Sequence, residues 1–168
     1  AALVGQGVPA DRILAVTFTN KAAREMKQRV REVFGRRRET EPEISTFHSL
    51  CVRILKRHIE RLGYPKRFAI CDRADQESAA RTALREIRVD RGTLRPGDLL
   101  ALVGSWKNRG KNAAAAAAEA CSDREHLAAA AFRRYQKALV ARCAVDFDDL
   151  LLLVDELFAR CDDVRRAE

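Results

Sequence analysis

The sequence predicts an α/β fold that gives way to a mostly helical architecture. A short apolar run, Ile13 to Phe18, is rich in β-forming residues and follows a turn-like Gly-Val-Pro-Ala-Asp stretch. Such a continuous run is typical of a strand buried on both faces in a parallel sheet. Residues 43–47 form a second, shorter strand candidate, whereas no strand pattern occurs between residues 73 and 143. We therefore expect strand–helix alternation at the start, followed by an all-helical segment.

The composition fits a globular chain of one domain, or of one domain with an inserted subdomain. Of its 168 residues, 47% are hydrophobic and 33% are charged, a balance that supports a packed core and is unlike that of a disordered chain. No apolar run reaches the ~20 residues that a membrane-spanning helix requires. The five cysteines are odd in number and include no Cys-x-x-Cys pair, which argues against disulfides and zinc. We expect reduced, buried thiols in a cytoplasmic protein.

The net charge of +8 is concentrated in one part of the chain. Residues 21–67 hold 14 Lys and Arg against 6 Glu, whereas the remainder holds 18 basic and 18 acidic residues. A one-sided basic segment is typical of a protein that binds a polyanion such as nucleic acid. An Arg-rich, solvated helix surface gives the same pattern, so charge alone leaves both interpretations open.

Apolar residues at helical spacing, together with caps and stop signals, predict a series of helices. The first begins after Thr19 or Asn20, either of which can cap it, and the second follows the second strand and ends at Gly63. The later helices are expected from Asp72 or Asp75 to about Val89, from Asp98 to about Asn108 with Pro96 in the first turn, over residues 113–121 and 123–143, and from near Asp146 onward.

The segment Thr17-Phe18-Thr19-Asn20-Lys21 lies where the first strand ends and the first helix begins. Ligands of open α/β sheets bind at the carboxyl ends of strands, and helix amino termini offer N–H groups to phosphates. The hydroxyls, amide and ammonium suit a phosphate backbone, and the Phe18 ring suits stacking on an unpaired base. The alternative is a core position for Phe18, with Thr19 acting only as a helix cap.

The segment Ser45-Thr46-Phe47-His48-Ser49 repeats this chemistry at the second strand-to-helix corner. No Ser-His-Asp or Cys-His arrangement surrounds His48, so the sequence indicates a phosphate or sugar contact, or a structural role, rather than a catalytic base. Two such corners beside the basic segment predict a DNA strand that lies across a positively charged surface.

The segment Asp146-Phe147-Asp148-Asp149 places three carboxylates within four residues. Because side chains within one helical turn diverge, the pattern favours an N-cap with first-turn charges over a metal site. The sequence also contains no Gly-x-x-x-x-Gly-Lys-Ser/Thr loop and no apolar strand that ends in Asp-Glu. We therefore expect no catalytic residue, metal site or nucleotide-binding residue in this chain.

Four segments, in family order, resemble the UvrD/Rep/PcrA helicases of superfamily 1. Residues 13–26 look like motif Ia, and residues 45–49 look like the Thr-Phe-His-Ser motif that follows it. Residues 105–108, Ser-Trp-Lys-Asn, are similar to the Lys-Asn element of the family's helical insertion. Residues 135–151 are similar to its Tyr-Gln…Asp-Phe-Asp-Asp-Leu-Leu stretch.

The resemblance implies part of a RecA-like motor domain in residues 1–67, an all-helical insertion subdomain in residues 68–143, and a return to the motor domain in residues 144–168. It implies that the chain is the segment between the two ATP-binding motifs of an ATP-dependent DNA helicase. Such a helicase is expected to translocate on single strands and to unwind duplex DNA in repair, replication or recombination. ATP and Mg²⁺ are the expected cofactors of the longer protein, and this chain alone is expected to bind neither.

The resemblance also implies which residues contact DNA. Contacts with single-stranded DNA are expected from Thr17, Phe18, Thr19, Asn20, Lys21, Thr46, Phe47, His48 and Ser49. Lys107 and Asn108 are expected to help the helical insertion hold duplex DNA, and the three aspartates are expected to be structural or to couple motor movements. No membrane partner is expected. Two other functions stay open: a non-enzymatic single-stranded nucleic-acid-binding module that has lost its ATPase motifs, and a helical scaffold protein without a DNA role.

Overall fold

The computed structural model describes residues 2–34, 41–88 and 92–168, and the chain divides into two compact units, Ala1–Arg53 and Ile54–Glu168. The first unit alternates helices and strands, as the sequence predicts. Its elements are α1 (Ala2–Gly5), a 3₁₀ turn (Ala10–Arg12), β1 (Leu14–Thr17), α2 (Asn20–Phe34) and β2 (Glu43–Thr46), followed by α3 (Phe47–His58), which runs into the second unit.

The two predicted strands form a parallel pair in register, with Leu14 opposite Glu43 and Thr17 opposite Thr46. The expected burial of the first strand on both faces is wrong, because 53% of Leu14 is exposed. The described part of this sheet has only two strands, which leaves much of its surface uncovered. Both strands nevertheless end at the same edge of the sheet, and the helices α2 and α3 begin there.

Helix α2 is amphipathic, with Ala23 buried and the Lys and Arg side chains exposed. Of the two candidate caps, Thr19 is the one that acts, since its Oγ1 accepts a hydrogen bond from the Ala22 N–H at 3.1 Å. A threonine cap satisfies one of the free N–H groups of the first turn. The first corner therefore turns sharply from strand to helix and projects Phe18 between them.

The second unit is mostly helical. Its elements are a 3₁₀ turn (Ile59–Leu62), β3 (Ala69–Ile70), α4 (Arg73–Glu86), α5 (Pro96–Asn108), α6 (Ala113–Glu119), α7 (Asp123–Ala141), β4 (Ala144–Val145), α8 (Phe147–Arg160) and α9 (Asp162–Ala167). Its core lies between α4, α5, α6 and α7, where the rings of Trp106 and Phe132 stack at 6.1 Å between centroids. The helical prediction for this part of the chain is confirmed.

Local sequence signals account for most of the helix starts in this unit. Asp72, Asn112 and Ser122 cap α4, α6 and α7 through side-chain oxygens, and Pro96 begins α5. The predicted end of α4 was too late: the helix ends at Glu86, and Val89 lies outside the described residues. The sequence did not predict β3 and β4, which pair in parallel over two residues each.

The thiols divide into two groups. Cys51, Cys71 and Cys161 are buried, as expected, but Cys121 and Cys143 are exposed, so the expectation of five buried cysteines is wrong for those two. Both exposed cysteines lie at the ends of helices, where the chain turns at the surface. In the part of the chain that the structure describes, no helix combines the length and the apolar character needed to cross a membrane.

Candidate nucleic-acid interface

The two predicted corners lie side by side in the structure. Phe18 and Phe47 directly follow Thr17 and Thr46, which are paired across the parallel strands. The centroids of the two rings are 5.6 Å apart, and the ring planes are tilted by 43°. This separation is typical of an aromatic contact, so the rings form one continuous surface at the edge of the sheet.

The ring pair faces solvent to an unusual degree. Phe18 is 91% exposed and Phe47 is 38% exposed, so the alternative of a core position for Phe18 is wrong. A nearly bare phenyl ring gains little from folding, since apolar side chains stabilise a fold mainly through burial. An exposed aromatic pair offers instead a face on which flat, apolar groups such as unpaired bases can stack.

The hydroxyls beside the rings hold the corners in shape. Thr17 Oγ1 donates to the carbonyl oxygen of Thr19 at 3.0 Å. Thr46 Oγ1 and Ser49 Oγ are hydrogen-bonded at 2.8 Å, and the Ser49 N–H donates to Thr46 Oγ1 at 3.2 Å. Thr17 and Thr46 are buried. These two threonines therefore shape the corner, and their buried side chains are poorly placed for the direct DNA contacts that were expected of them.

The remaining corner residues are within reach of a ligand. Thr19, Asn20, Lys21 and Ser49 are exposed, and His48 is half-buried. Lys21 lies 4.0 Å from Glu25, at the limit of an ion pair, with 84% of its side chain exposed. An exposed ion pair of this kind contributes little free energy, so the Lys21 ammonium remains able to bind an external anion. The corner thus combines aromatic, amide, hydroxyl and cationic groups on one edge.

Helix α2 continues this edge as a basic surface. Arg24, Lys27 and Arg29 are exposed along it. Arg31 is engaged differently, because its guanidinium donates two hydrogen bonds of 3.2 Å to Glu41. These bonds lower the pKa of the Glu41 carboxyl. The cations that lie nearer the corner are those left available to an external anion.

Lys107, the third predicted contact, lies in the interior of the second unit. Only 1% of its side chain is exposed, and its Nζ lies 2.6 Å from Asp146 Oδ2 and 2.7 Å from Asp149 Oδ1. The rings of Phe132 and Tyr135 flank the ammonium, with centroids 5.7 and 5.5 Å away. An enclosed ammonium cannot reach a phosphate, so the expected duplex contact of Lys107 is corrected to a structural role. Asn108, at the end of α5, is exposed.

The two aspartates that hold Lys107 also begin helix α8. Asp146 caps the helix and forms a capping box with Asp149, which confirms the prediction of an N-cap. Tyr135 Oη donates to Asp146 Oδ2, and Gln136 Nε2 donates to Asp149 Oδ1, both at 2.9 Å. We name these four residues and Lys107 the lysine cluster. It ties α5, α7 and α8 together through charge-assisted hydrogen bonds.

Burial raises the pKa of two residues of the lysine cluster, Asp149 and Tyr135. Removal from water raises the pKa of Asp149, an effect that the neighbouring Lys107 ammonium opposes. Removal from water also raises the pKa of Tyr135, with a further increase from the charge of Asp146. Nearby Tyr64 has its pKa raised to about 12, again mainly by burial. Among the described residues, no group of three potential metal ligands occurs in this cluster or elsewhere.

The sequence reasoning missed the partnership within the lysine cluster. The signal was present, because the Lys-Asn, Tyr-Gln and Asp-x-x-Asp elements all lie in family-like segments. An acidic pair three residues apart at a helix start, together with a lysine on an otherwise apolar helix, would have indicated a buried ion pair.

Comparison with known proteins shows the family of this chain. The sequence-family model of the UvrD/REP helicase N-terminal domain matches residues 1–168. The chain therefore belongs to this family. The family resemblance of its sequence motifs is thereby confirmed.

The curated relatives include several helicases named ATP-dependent DNA helicase PcrA. The protein of Staphylococcus aureus strain Mu50 is 40% identical over 152 residues, which cover 90% of this chain and 21% of the relative. The protein of Bacillus subtilis strain 168 is also 40% identical over 152 residues, covering 90% and 20%. That of Staphylococcus epidermidis is 38% identical over 148 residues, covering 88% and 20%. The chain spans about a fifth of the length of these relatives.

Proposed function

We propose that this chain supplies the single-stranded-DNA grip of an ATP-dependent DNA helicase similar to PcrA. The observation that carries the proposal is the exposed ring pair of Phe18 and Phe47 at the ends of two neighbouring parallel strands. The family membership and the basic surface of α2 support it. Translocation, unwinding and a cytoplasmic role in repair, replication or recombination are proposed for the complete protein.

The grip works through two kinds of contact. The rings stack on unpaired bases, which every nucleotide presents in a similar form, so binding is insensitive to sequence. Asn20, Lys21, Ser49 and the first N–H groups of α2 contact the sugar–phosphate backbone, which fixes the position of the strand. In a duplex the faces of the bases are covered by stacked neighbours, so this corner binds single strands in preference to duplex. Exposed Asn108 remains a proposed contact for duplex DNA.

The residues of this chain do not fit ATP or Mg²⁺. The sequence has no glycine-rich phosphate-binding loop, and the described residues form no acidic cluster that could hold a cation. Nucleotide chemistry is therefore proposed for other parts of the complete protein.

The proposal is tested by measuring the fluorescence anisotropy of labelled oligonucleotides with the chain and with the double variant Phe18→Ala/Phe47→Ala. Stacking contributes ~1–3 kcal/mol per base, so affinity for single strands should fall by roughly 5- to 150-fold. Phe147→Ala serves as the control, since Phe147 is 51% exposed but lies on α8 in the second unit. Equal affinities for the chain and the double variant would remove the rings from DNA binding.

A second measurement separates the helicase from the two open alternatives. In the complete protein, Phe18→Ala should slow DNA-stimulated ATP hydrolysis and leave hydrolysis without DNA nearly intact. A binding module without an ATPase predicts single-strand binding that ATP does not change. A scaffold protein predicts no retention on single-stranded DNA even at low salt, where phosphate contacts are strongest.

A further inference from the structure

A cavity of about 430 Å³ lies between helix α2 and strand β2, next to the ring pair. Its lining is polar and basic on the helix side and carries hydroxyls on the strand side. The lining residues are Asn20, Ala23, Arg24, Lys27, Ile44, Ser45, Thr46 and Ser49. None of them is acidic, so the cavity favours an anion over a cation.

The two cations of the cavity are available to a ligand. Arg24 and Lys27 are one helical turn apart and both are exposed. Neither has a carboxylate of a described residue within 4.0 Å, although the more distant charge of Lys27 contributes to the lowered pKa of Glu41. By contrast, the next cation along this face, Arg31, is paired with Glu41. A guanidinium and an ammonium that converge on one cavity provide several donors for a tetrahedral oxyanion.

The strand side adds a hydroxyl that lacks a partner. Ser45 Oγ is buried and has no hydrogen bond within the described part of the chain. A buried hydroxyl without a partner costs free energy, and such groups are rare in folded proteins. A ligand oxygen or a bridging water in the adjoining cavity would satisfy it.

We propose that this cavity, named here the α2–β2 cavity, binds a phosphate group of the nucleic-acid backbone. The inference rests on the proposed function and extends it, because the α2–β2 cavity adjoins the residues that carry the rings: Asn20 follows Phe18 by two positions, and Thr46 immediately precedes Phe47. One strand can then place bases against the rings and a phosphate in the cavity. The cavity holds the strand irrespective of its sequence.

The test compares two double variants that remove the same charge. Arg24→Gln/Lys27→Gln removes the cations of the α2–β2 cavity. Lys56→Gln/Arg85→Gln removes two exposed cations that lie in the second unit and do not line it. Single-strand affinity should fall about tenfold for the first pair, because charge-assisted hydrogen bonds to the phosphate are removed, and much less for the second. The slope of log affinity against log salt should flatten by about 0.7 for each phosphate that the variant no longer neutralises.

Ser45→Ala supplies a test that general electrostatics cannot mimic. Because Ser45 Oγ has no described protein partner, its removal should not lower the thermal unfolding midpoint, yet it should weaken single-strand binding severalfold. Unchanged affinity for Ser45→Ala, or equal losses of affinity for the two charge variants, would overturn the cavity as a specific site.

Two further outcomes separate this inference from the proposed function. If the ring variant loses affinity but the Arg24/Lys27 variant does not, the proposal of a phosphate site in the α2–β2 cavity is wrong, and the proposed stacking of bases on the rings is retained. If the chain binds no oligonucleotide, the proposed function fails first. The phosphate could also be free inorganic phosphate, which is tested by titrating it against the chain and following the amide NMR signals of Asn20 and Ser45. If free phosphate saturates the cavity and oligonucleotides do not bind there, the ligand is a free anion and the proposed backbone phosphate is wrong.

Discussion

Lys21 and Lys107 both lie in segments that resemble DNA-contacting elements, but the structure places them in opposite surroundings. Lys21 lies at the strand-end corner with 84% of its side chain exposed, whereas the side chain of Lys107 is 1% exposed and is held by two aspartates. The chemical type of the residue is identical. The difference comes from what the fold brings near each ammonium.

The surroundings explain why one lysine can serve a ligand and the other cannot. Among the residues that the structure describes, Glu25 is the ion-pair partner of Lys21, at 4.0 Å, and solvent screens that pair. Near Lys107, Asp146 and Asp149 lie one turn apart at the start of α8 and converge on the ammonium. A motif therefore indicates a possible contact, but burial and the position of carboxylates decide whether it contacts DNA or stabilises the fold.

The largest expected effect is that of removing Lys107. Lys107→Met leaves two carboxylates buried without their cation, which should lower the free energy of unfolding by about 3–5 kcal/mol. Urea denaturation measures this change. The control is Lys111→Met, which breaks a partly exposed pair with Glu119 and should cost below ~1 kcal/mol. Similar decreases in the two variants would contradict the structural role assigned to Lys107.

A smaller effect concerns pH and Asp149, whose pKa is raised mainly by burial. An acid with a raised pKa in the folded state binds a proton more readily there than in the unfolded chain. As pH falls through that raised pKa, the chain should therefore gain stability relative to Asp149→Asn, which does not titrate; as pH rises, this gain is lost. Urea unfolding of both proteins between about pH 4 and 8 measures the difference. A difference that is constant with pH would exclude the raised pKa.

The smallest effect on stability is expected at the ring that we place in the DNA grip. Phe18→Ala should change the free energy of unfolding by less than ~0.5 kcal/mol, since 91% of the residue is already exposed. The same urea titration as for Lys107→Met gives the value. A decrease of about 2 kcal/mol or more, as for a buried side chain, would mean that Phe18 is buried in solution, which would end the contrast between the two regions.

The parts of the fold that follow local rules could be predicted from the sequence. The apolar run of β1, the caps Asp72 and Ser122, and Pro96 at the start of α5 act within a few residues of themselves. Strands β3 and β4 are too short for a periodic pattern and are defined only by their pairing with each other. They form only through contacts between residues that are far apart in the sequence, so a short stretch of sequence does not predict them.

For the candidate site, the positions of the two corners could be predicted from the sequence, but the exposure of their side chains could not. The order of strand, aromatic residue and helix identified both corners, and the parallel pairing brought them together. Exposure was not predictable, because a phenylalanine after a strand is compatible with the core and with a surface. Nor was the fate of Lys107, whose partner Asp146 lies 39 residues further along the chain.

The proposed DNA contact of Phe18 and Phe47 is tested most directly by photocrosslinking the chain to a single-stranded oligonucleotide that contains 5-bromouracil, with the adducts located by mass spectrometry. Stacking of bases on the ring pair predicts adducts on the peptides that carry Phe18 and Phe47, and their disappearance in the Phe18→Ala/Phe47→Ala variant. Adducts confined to residues 54–168, or adducts that persist unchanged in that variant, would contradict a DNA grip at the ends of β1 and β2.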